Sequence, residues 1–147
     1  MNNTLKNLKT TIFNVIEQMF FLLPDEQSFE ELGEKVAGPV HIGITGDPGY
    51  IVSLTFDYDL AASMTNDLLG LENDEPDDEL IGQSLRETAN IIGGNFLLSF
   101  AGENRNVTLP SLIHEDIFPE GKVVETARLM IAYDGCPMEA MLQRIEM

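Results

Sequence analysis

Two turn signals, one in the first third of the chain and one near its end, commit it to a β-hairpin at each place. Val40, Ile42 and Ile44 alternate with His41, Gly43 and Thr45 before a turn of Gly46, Asp47, Pro48 and Gly49. Alternation then resumes over residues 50–57. Period-two patterning bounded by Gly and Pro is the mark of strands joined by a tight turn. Residues 123–133 read as a further strand, Asp134 and Gly135 as its turn, and residues 136–145 as the return. Cys136, Met138, Ala140 and Leu142 then share one face of the returning strand.

Helical periodicity fills the rest. Leu5, Leu8, Ile12, Val15, Met19 and Leu22 recur at helical spacing, which predicts a first helix over residues 3–23 ending at Pro24. Phe13, Ile16 and Phe20 widen its apolar face, so it is either deeply buried or in contact with a second subunit. Residues 25–38 read as a polar connection with a short helical turn around residues 29–32. Asp59 is placed to cap a second helix through Leu60, Met64 and Leu68, closed by Gly70. The acidic run over residues 72–79 suits the start of a long third helix, with Pro76 at its first position and its end near Phe100. Residues 107–113 read as an edge strand interrupted by Pro110, and residues 114–121 as a loop. The order is α+β, with long helices packed on a β-sheet, and 147 residues predict a single domain over 1–147. A faint echo between residues 13–22 and 85–92 makes an internal pseudo-repeat a candidate, with Glu17 and Phe20 as a degraded copy of Glu87 and Asn90.

Charge and cysteine content exclude several functions. A net charge of −17 repels a polyanionic backbone and an anionic bilayer alike, so neither nucleic acid nor membrane is an expected partner. The apolar stretch over residues 12–23 is too short to span a bilayer. One cysteine, Cys136, rules out an internal disulfide, and with no signal-like start the expected compartment is the cytoplasm. His41 and His114, the only histidines, lack metal-ligand spacing and read as structural. Cys136 reads as a small buried hydrophobe rather than a nucleophile.

The third helix carries what chemistry there is. At about 100° per residue, Gln83, Glu87, Asn90 and Gly94 fall on one stripe, with Leu85, Ala89, Ile92 and Phe96 opposite. Ile91 and Leu98 flank the polar stripe. Gly93 and Gly94 each cost about 1 kcal/mol against alanine inside a helix, which marks close approach of something. Glu87 and Asn90 are helix-surface neighbours, so an acid and an amide can face one object. A carboxamide donates and accepts hydrogen bonds without being a useful base. It can orient water for attack on an acyl phosphate, which is already activated and needs mainly positioning. A carboxylate one turn away can grip a cation of the same partner.

At these residues the chain resembles the chemotaxis phosphatases of the CheC, CheX and FliY group. Their signature is a helix with Glu-x-x-Asn and a Gly- or Asn-rich turn, preceded by Asp or Ser and followed at a distance by Pro. Glu87, Asn90, Gly93, Gly94 and Asn95 match its centre. A single intact pair resembles the one-site CheX branch. The resemblance implies a CheC-like fold and a phosphatase acting on the aspartyl phosphate of a CheY-like response regulator. In that scheme Asn90 positions the water and Glu87 pairs with the regulator's lysine. No cofactor of its own is implied, since the Mg2+ belongs to the regulator. A homodimer joined through the sheets is also implied, with the C-terminal strands or the edge near Val107 as candidate interfaces. Two positions depart from the signature. Gln83 stands where the family has Asp or Ser, with Ser84 one place later, and Pro110 lies closer to Asn90 than the family spacing. A non-catalytic module that binds a regulator or signalling complex is the alternative reading. Lys6, Lys9, Arg86 and Arg105 are among the few local counterweights to the acidity.

Overall fold

The structure, a computed structural model, describes residues 1–26, 29–72 and 75–147. In chain order the elements are α1 (Asn2–Phe20), β1 (Val36–Ile44), β2 (Gly49–Asp57), α2 (Tyr58–Leu69), α3 (Asp78–Leu97), β3 (Lys122–Tyr133) and β4 (Cys136–Glu146). Single 3-10 turns follow at Leu98–Phe100 and His114–Asp116. The four strands form one antiparallel sheet in the order β1-β2-β4-β3. The fold is therefore α+β, and helix–strand–strand occurs twice around the central β2–β4 pair, which is the arrangement an internal pseudo-repeat requires.

Alternation decides which sheet face is covered. Val40, Ile42 and Ile44 of β1 join Val52, Leu54 and Phe56 of β2 and Met138, Ala140 and Leu142 of β4 in one core. Leu8, Ile12, Val15, Ile16 and Phe20 of α1, and Leu85, Ala89, Ile92 and Phe96 of α3, pack on it. The opposite face is covered at one end by residues 107–121. This segment runs along the outer edge of β1, then crosses beneath the sheet so that Ile117 and Phe118 pack on Ile51 and Ile145. Gly43 permits the crossing, because a Cβ there would lie 2.6 Å from Ile117 and 2.9 Å from Phe118.

Several boundaries differ from expectation, each for a local reason. The first helix stops at Phe20, three residues short. Phe21 takes a left-handed conformation (φ 57°) and its N–H bonds Glu17 O at 2.9 Å. That turn brings Asp25 to the far hairpin. The Asp25 carboxylate accepts from the Asp134 and Gly135 amides at 3.1 and 2.7 Å, while its own N–H donates to Ala132 O at 2.7 Å. Over residues 29–32 the chain bends at Glu30 and Glu31 and makes no helical turn. The first strand begins at Val36, not Val40, because Gly38 (φ 100°) absorbs an irregularity between Ala37 and Val40. The cap of α2 is Asp57 rather than Asp59: its Oδ1 accepts from the Asp59 and Leu60 amides at 3.0 and 3.2 Å. Gly70 closes α2 as expected (φ 69°). α3 is capped by Asp77, which accepts from Leu80 N at 2.9 Å, so Pro76 lies outside the helix. Asn73 and Asp74 of the acidic run lie outside the described residues. Residues 107–113 make two isolated bridges, Ile44 to Val107 and His41 to Ser111, rather than a strand. Pro110 has no N–H to offer a ladder.

Candidate functional site

α3 is held firmly on its buried side. Its amino end is capped by Asp77. Its middle lies tight on β1, where a Cβ on Gly93 would come 2.7 Å from Ile42 Cδ1. Its carboxyl end is fixed by Phe96, edge-to-face with Phe100 at 5.2 Å between ring centroids. The glycine pair thus divides. Gly93 answers to packing inside this chain, whereas a Cβ on Gly94 would meet nothing within 4 Å.

Gln83, Glu87, Asn90 and Gly94 all reach solvent on the other side. Ser84 and Thr88 are buried, with hydroxyls that find no hydrogen-bond partner among the described residues. The Glu87 carboxylate and Asn90 carboxamide enter no hydrogen bond or ion pair within the described chain. Both are therefore free to engage something else. They share one shallow depression with Gln83, Arg86, Leu109 and Pro110. Residues 107–112 reach this place by running along the β1 edge, and the Leu109 side chain stands 86% exposed beside the pair. The two departures from the signature, Gln83 and Pro110, thus both border Glu87 and Asn90. Nothing in the local sequence marks Leu109, because its approach depends on the course of the chain around β1. The helical angle of Arg86 puts it on the flank of the stripe, a signal the sequence does carry.

Other candidates lie elsewhere. Arg105, counted above as a counterweight, is nearly enclosed. It bonds Glu103 at 2.9 Å, the carbonyl of Thr45 at 3.3 Å and that of Pro48. Its charge is spent on holding the first hairpin's turn. Cys136 is held above the ordinary thiol range by burial first and by Asp57 and Asp59 besides, which leaves little thiolate. Among the described residues no group of three or more His, Cys, Asp or Glu could hold a metal ion, and no helix is long and apolar enough to cross a membrane.

The histidines form a small polar cluster on the far face of the sheet. His41 Nδ1 lies 2.6 Å from Ser53 Oγ, and His114 Nε2 lies 2.6 Å from Gln143 Oε1. The two rings meet edge-to-face at 5.2 Å. Burial, then the neighbouring His114, lowers the His41 pKa below 6.5, against a smaller opposing pull from Glu115. The unfolded chain therefore binds the His41 proton more readily. This contribution to stability is complete above about pH 6.5 and is lost as pH falls through that value toward the folded-state pKa. Between about pH 7.5 and about pH 5.5 the wild type is expected to lose more unfolding free energy than His41→Asn, because the variant cannot take up that proton. Denaturant titrations of both proteins at each pH measure the difference, and equal losses would contradict it.

Comparison with known proteins bears on this surface. The family model for chemotaxis phosphatase CheX matches residues 40–132, which include all of α3 and the 107–113 segment. No curated protein matches the chain. A chemotaxis protein CheX from Desulfovibrio desulfuricans superposes with a TM-score of 0.69 at 21% identity, covering 97% of this chain and 99% of that one. A complex of CheX with CheY, BeF3 and magnesium from Borrelia burgdorferi gives 0.70 at 20% identity, covering 97% of each chain. CheX from Vibrio vulnificus gives 0.69 at 19% identity, covering 97% of this chain and 96% of that one. At such identities these likenesses establish the CheC-like fold.

Proposed function

The chain belongs to the CheX family of chemotaxis phosphatases, and from that premise we propose that it hydrolyses the aspartyl phosphate of a CheY-like response regulator. One observation carries the reading. An acid and an amide, Glu87 and Asn90, stand exposed, uncommitted and one turn apart on a helix whose other face is locked into the core. Such a pair can do little in open water, since an exposed depression neither excludes solvent nor fixes a substrate. Inserted into a partner's phosphate site, it is enclosed by the partner.

In that complex the Asn90 carboxamide oxygen accepts a hydrogen bond from a water and aims its lone pair at phosphorus. The water oxygen forms a new P–O bond as the P–O bond to the aspartyl carboxylate breaks, and the water's protons leave with the inorganic phosphate, which frees the carboxylate. Glu87 pairs with a lysine of the regulator, which fixes the helix in register. Magnesium, held by the regulator, supplies charge neutralisation of the phosphoryl oxygens. The solved complex of CheX with CheY, BeF3 and magnesium supports a partner of this kind for a protein of this fold.

The test is direct. A CheY-like regulator phosphorylated by a small-molecule phosphodonor is mixed with the protein, and loss of phosphate is followed. Acceleration over the regulator's own decay is expected. Saturable binding with no acceleration would replace this reading with that of a non-catalytic binding module.

We also propose a homodimer that forms along β3. The sheet order leaves β3 at an edge, where Val123 and Val124 are exposed, whereas the β1 edge already carries the 107–111 segment. An unpaired edge with apolar side chains favours strand addition. The wild type is expected to run at twice the chain mass by light scattering, and Val124→Lys at the chain mass. A monomeric wild type at high concentration would count against it.

A further inference from the structure

We propose that Arg86 is the docking cation of this surface, gripping an oxyanion at the rim of the partner's acyl-phosphate site and so setting affinity for the phosphorylated partner. The proposal rests on the phosphatase reading of Glu87 and Asn90.

Charge balance is the first ground. The chain carries 25 acidic residues against eight Lys and Arg. Three of its four arginines are taken up by those acids: Arg105 by Glu103 at 2.9 Å, Arg144 by Glu125 at 3.4 Å, and Arg128 by Glu139. Arg86 alone has no ion pair and no hydrogen bond within the described chain. The four lysines make no ion pair among the described residues either, so what sets Arg86 apart is that it is the one arginine whose forked donors are left unclaimed.

Placement is the second ground. Arg86 lines the same depression as Glu87 and Asn90. Its guanidinium lies near the helix surface at Gly82. Nη1 lies 3.9 Å from the point a Gly82 Cβ would occupy, and Leu112 Cδ1 lies 3.7 Å from the same point. The side chain thus folds back along α3 over the bare backbone of Gly82, beside Leu112. A half-buried stem costs less entropy to fix on binding than a fully solvated one.

Partner chemistry is the third ground. A phosphorylated aspartate beside magnesium is an oxyanion-rich site by necessity, because magnesium takes oxygen ligands. A chain of net charge −17 approaches such a site against repulsion. Glu87 adds to that repulsion until it meets its lysine. A planar guanidinium beside it offers forked donors to a phosphoryl or carboxylate oxygen, a geometry that lysine does not reproduce.

The experiment measures steady-state dephosphorylation of a phosphorylated CheY-like regulator by wild type, Arg86→Ala, Arg86→Lys, Arg86→Glu and Asn90→Ala at several salt concentrations. For Arg86→Ala, KM is expected to rise about tenfold with kcat within about twofold. Arg86→Lys should recover part of the loss, and Arg86→Glu should exceed it. The dependence of KM on salt should flatten when the charge is removed. Thermal midpoints should fall only slightly, since the side chain makes no hydrogen bond or ion pair within the described chain and loses only the packing of its stem. Binding of the regulator with and without BeF3 locates the oxyanion. A loss seen only with BeF3 assigns it to the phosphoryl group, and a loss in both assigns it to the partner's carboxylates. An unchanged KM and salt response in Arg86→Ala and Arg86→Glu, or a fall confined to kcat, overturns the proposal. Asn90→Ala keeps the two questions apart: if it alone abolishes turnover, the phosphatase reading stands while the docking role of Arg86 falls.

Discussion

Asn90→Ala is expected to lower the rate of regulator dephosphorylation by about a hundredfold to a thousandfold while leaving the protein as stable as before. The magnitude follows from the role assigned to the amide. Removing one preorganised group that is aimed at the transition state typically costs roughly 2.7–4 kcal/mol. The stability side follows from exposure. Asn90 makes no hydrogen bond within the described chain, so its loss strands no buried partner. Alanine is also a better helix former than asparagine. Regulator binding should survive, because Glu87 and the flanking Leu109 remain. Two controls sharpen the result. Asn90→Asp keeps an acceptor but sets a negative charge beside the phosphoryl group, and should fail as well. Asn90→Gln keeps the amide but moves it by about one bond length, and should recover little, since positioning is the whole of the contribution. Single-turnover measurement of phosphate loss, beside thermal unfolding of each variant, decides the matter. Unchanged turnover in Asn90→Ala would remove the amide from the chemistry.

What was legible in the sequence follows the range of the interactions. The two hairpins and three helices rest on period-two and helical patterning and on local turns. Asp134 (φ 52°) and Gly135 (φ 78°) both adopt the left-handed conformation that a two-residue hairpin demands. Capping was legible to within a residue or two, because Asp57 and Asp59, or Pro76 and Asp77, are equally plausible by composition until the side chain's direction is known. The features that went unread join residues far apart in the chain. The end of α1 is set by the demand of Asp25 for two amides in a turn more than a hundred residues away. The path of residues 107–121 is set by Thr108 Oγ1 accepting from Gly43 N at 2.9 Å and by the room that Gly43 leaves. No periodicity encodes either.

The same division holds at the surface that carries Glu87 and Asn90. The stripe of Gln83, Glu87, Asn90 and Gly94 is a property of one helix, and helical geometry alone places it. That Leu109 and Pro110 border it is a property of the whole fold. The cost of the two glycines was legible, but its cause was not: Ile42 explains Gly93, and nothing among the described residues explains Gly94. Arg105 shows the converse error. A counterweight to the acidity by composition, it is a buried tie between the loop after α3 and the turn of the first hairpin, with its guanidinium carbon 4.9 Å from the centre of the Phe100 ring.

Phe96→Ala should separate the fold from the chemistry in the opposite sense to Asn90→Ala. Phe96 is fully buried on the face of α3 turned to the sheet. Its ring meets Phe100 edge-to-face, and Phe100 in turn lies against Tyr50 of β2 at 5.4 Å between centroids. Truncation removes the transfer free energy of the ring and leaves a cavity that this aromatic group can collapse into only partly. The expected loss is about 3–5 kcal/mol, a large share of the roughly 5–15 kcal/mol that holds a typical domain. The midpoint of urea denaturation should fall accordingly with little change in its slope, since the surface exposed on unfolding is nearly the same. Dephosphorylation measured well below the new melting temperature should nonetheless persist. Asn90 lies nearer the middle of α3, where Leu85, Ala89 and Ile92 remain buried and Gly93 stays against Ile42. A loss below about 1 kcal/mol would mean that the carboxyl end of α3 is not anchored by this ring. A loss of turnover at temperatures where the variant is fully folded would mean that the aim of Asn90 depends on packing two turns away.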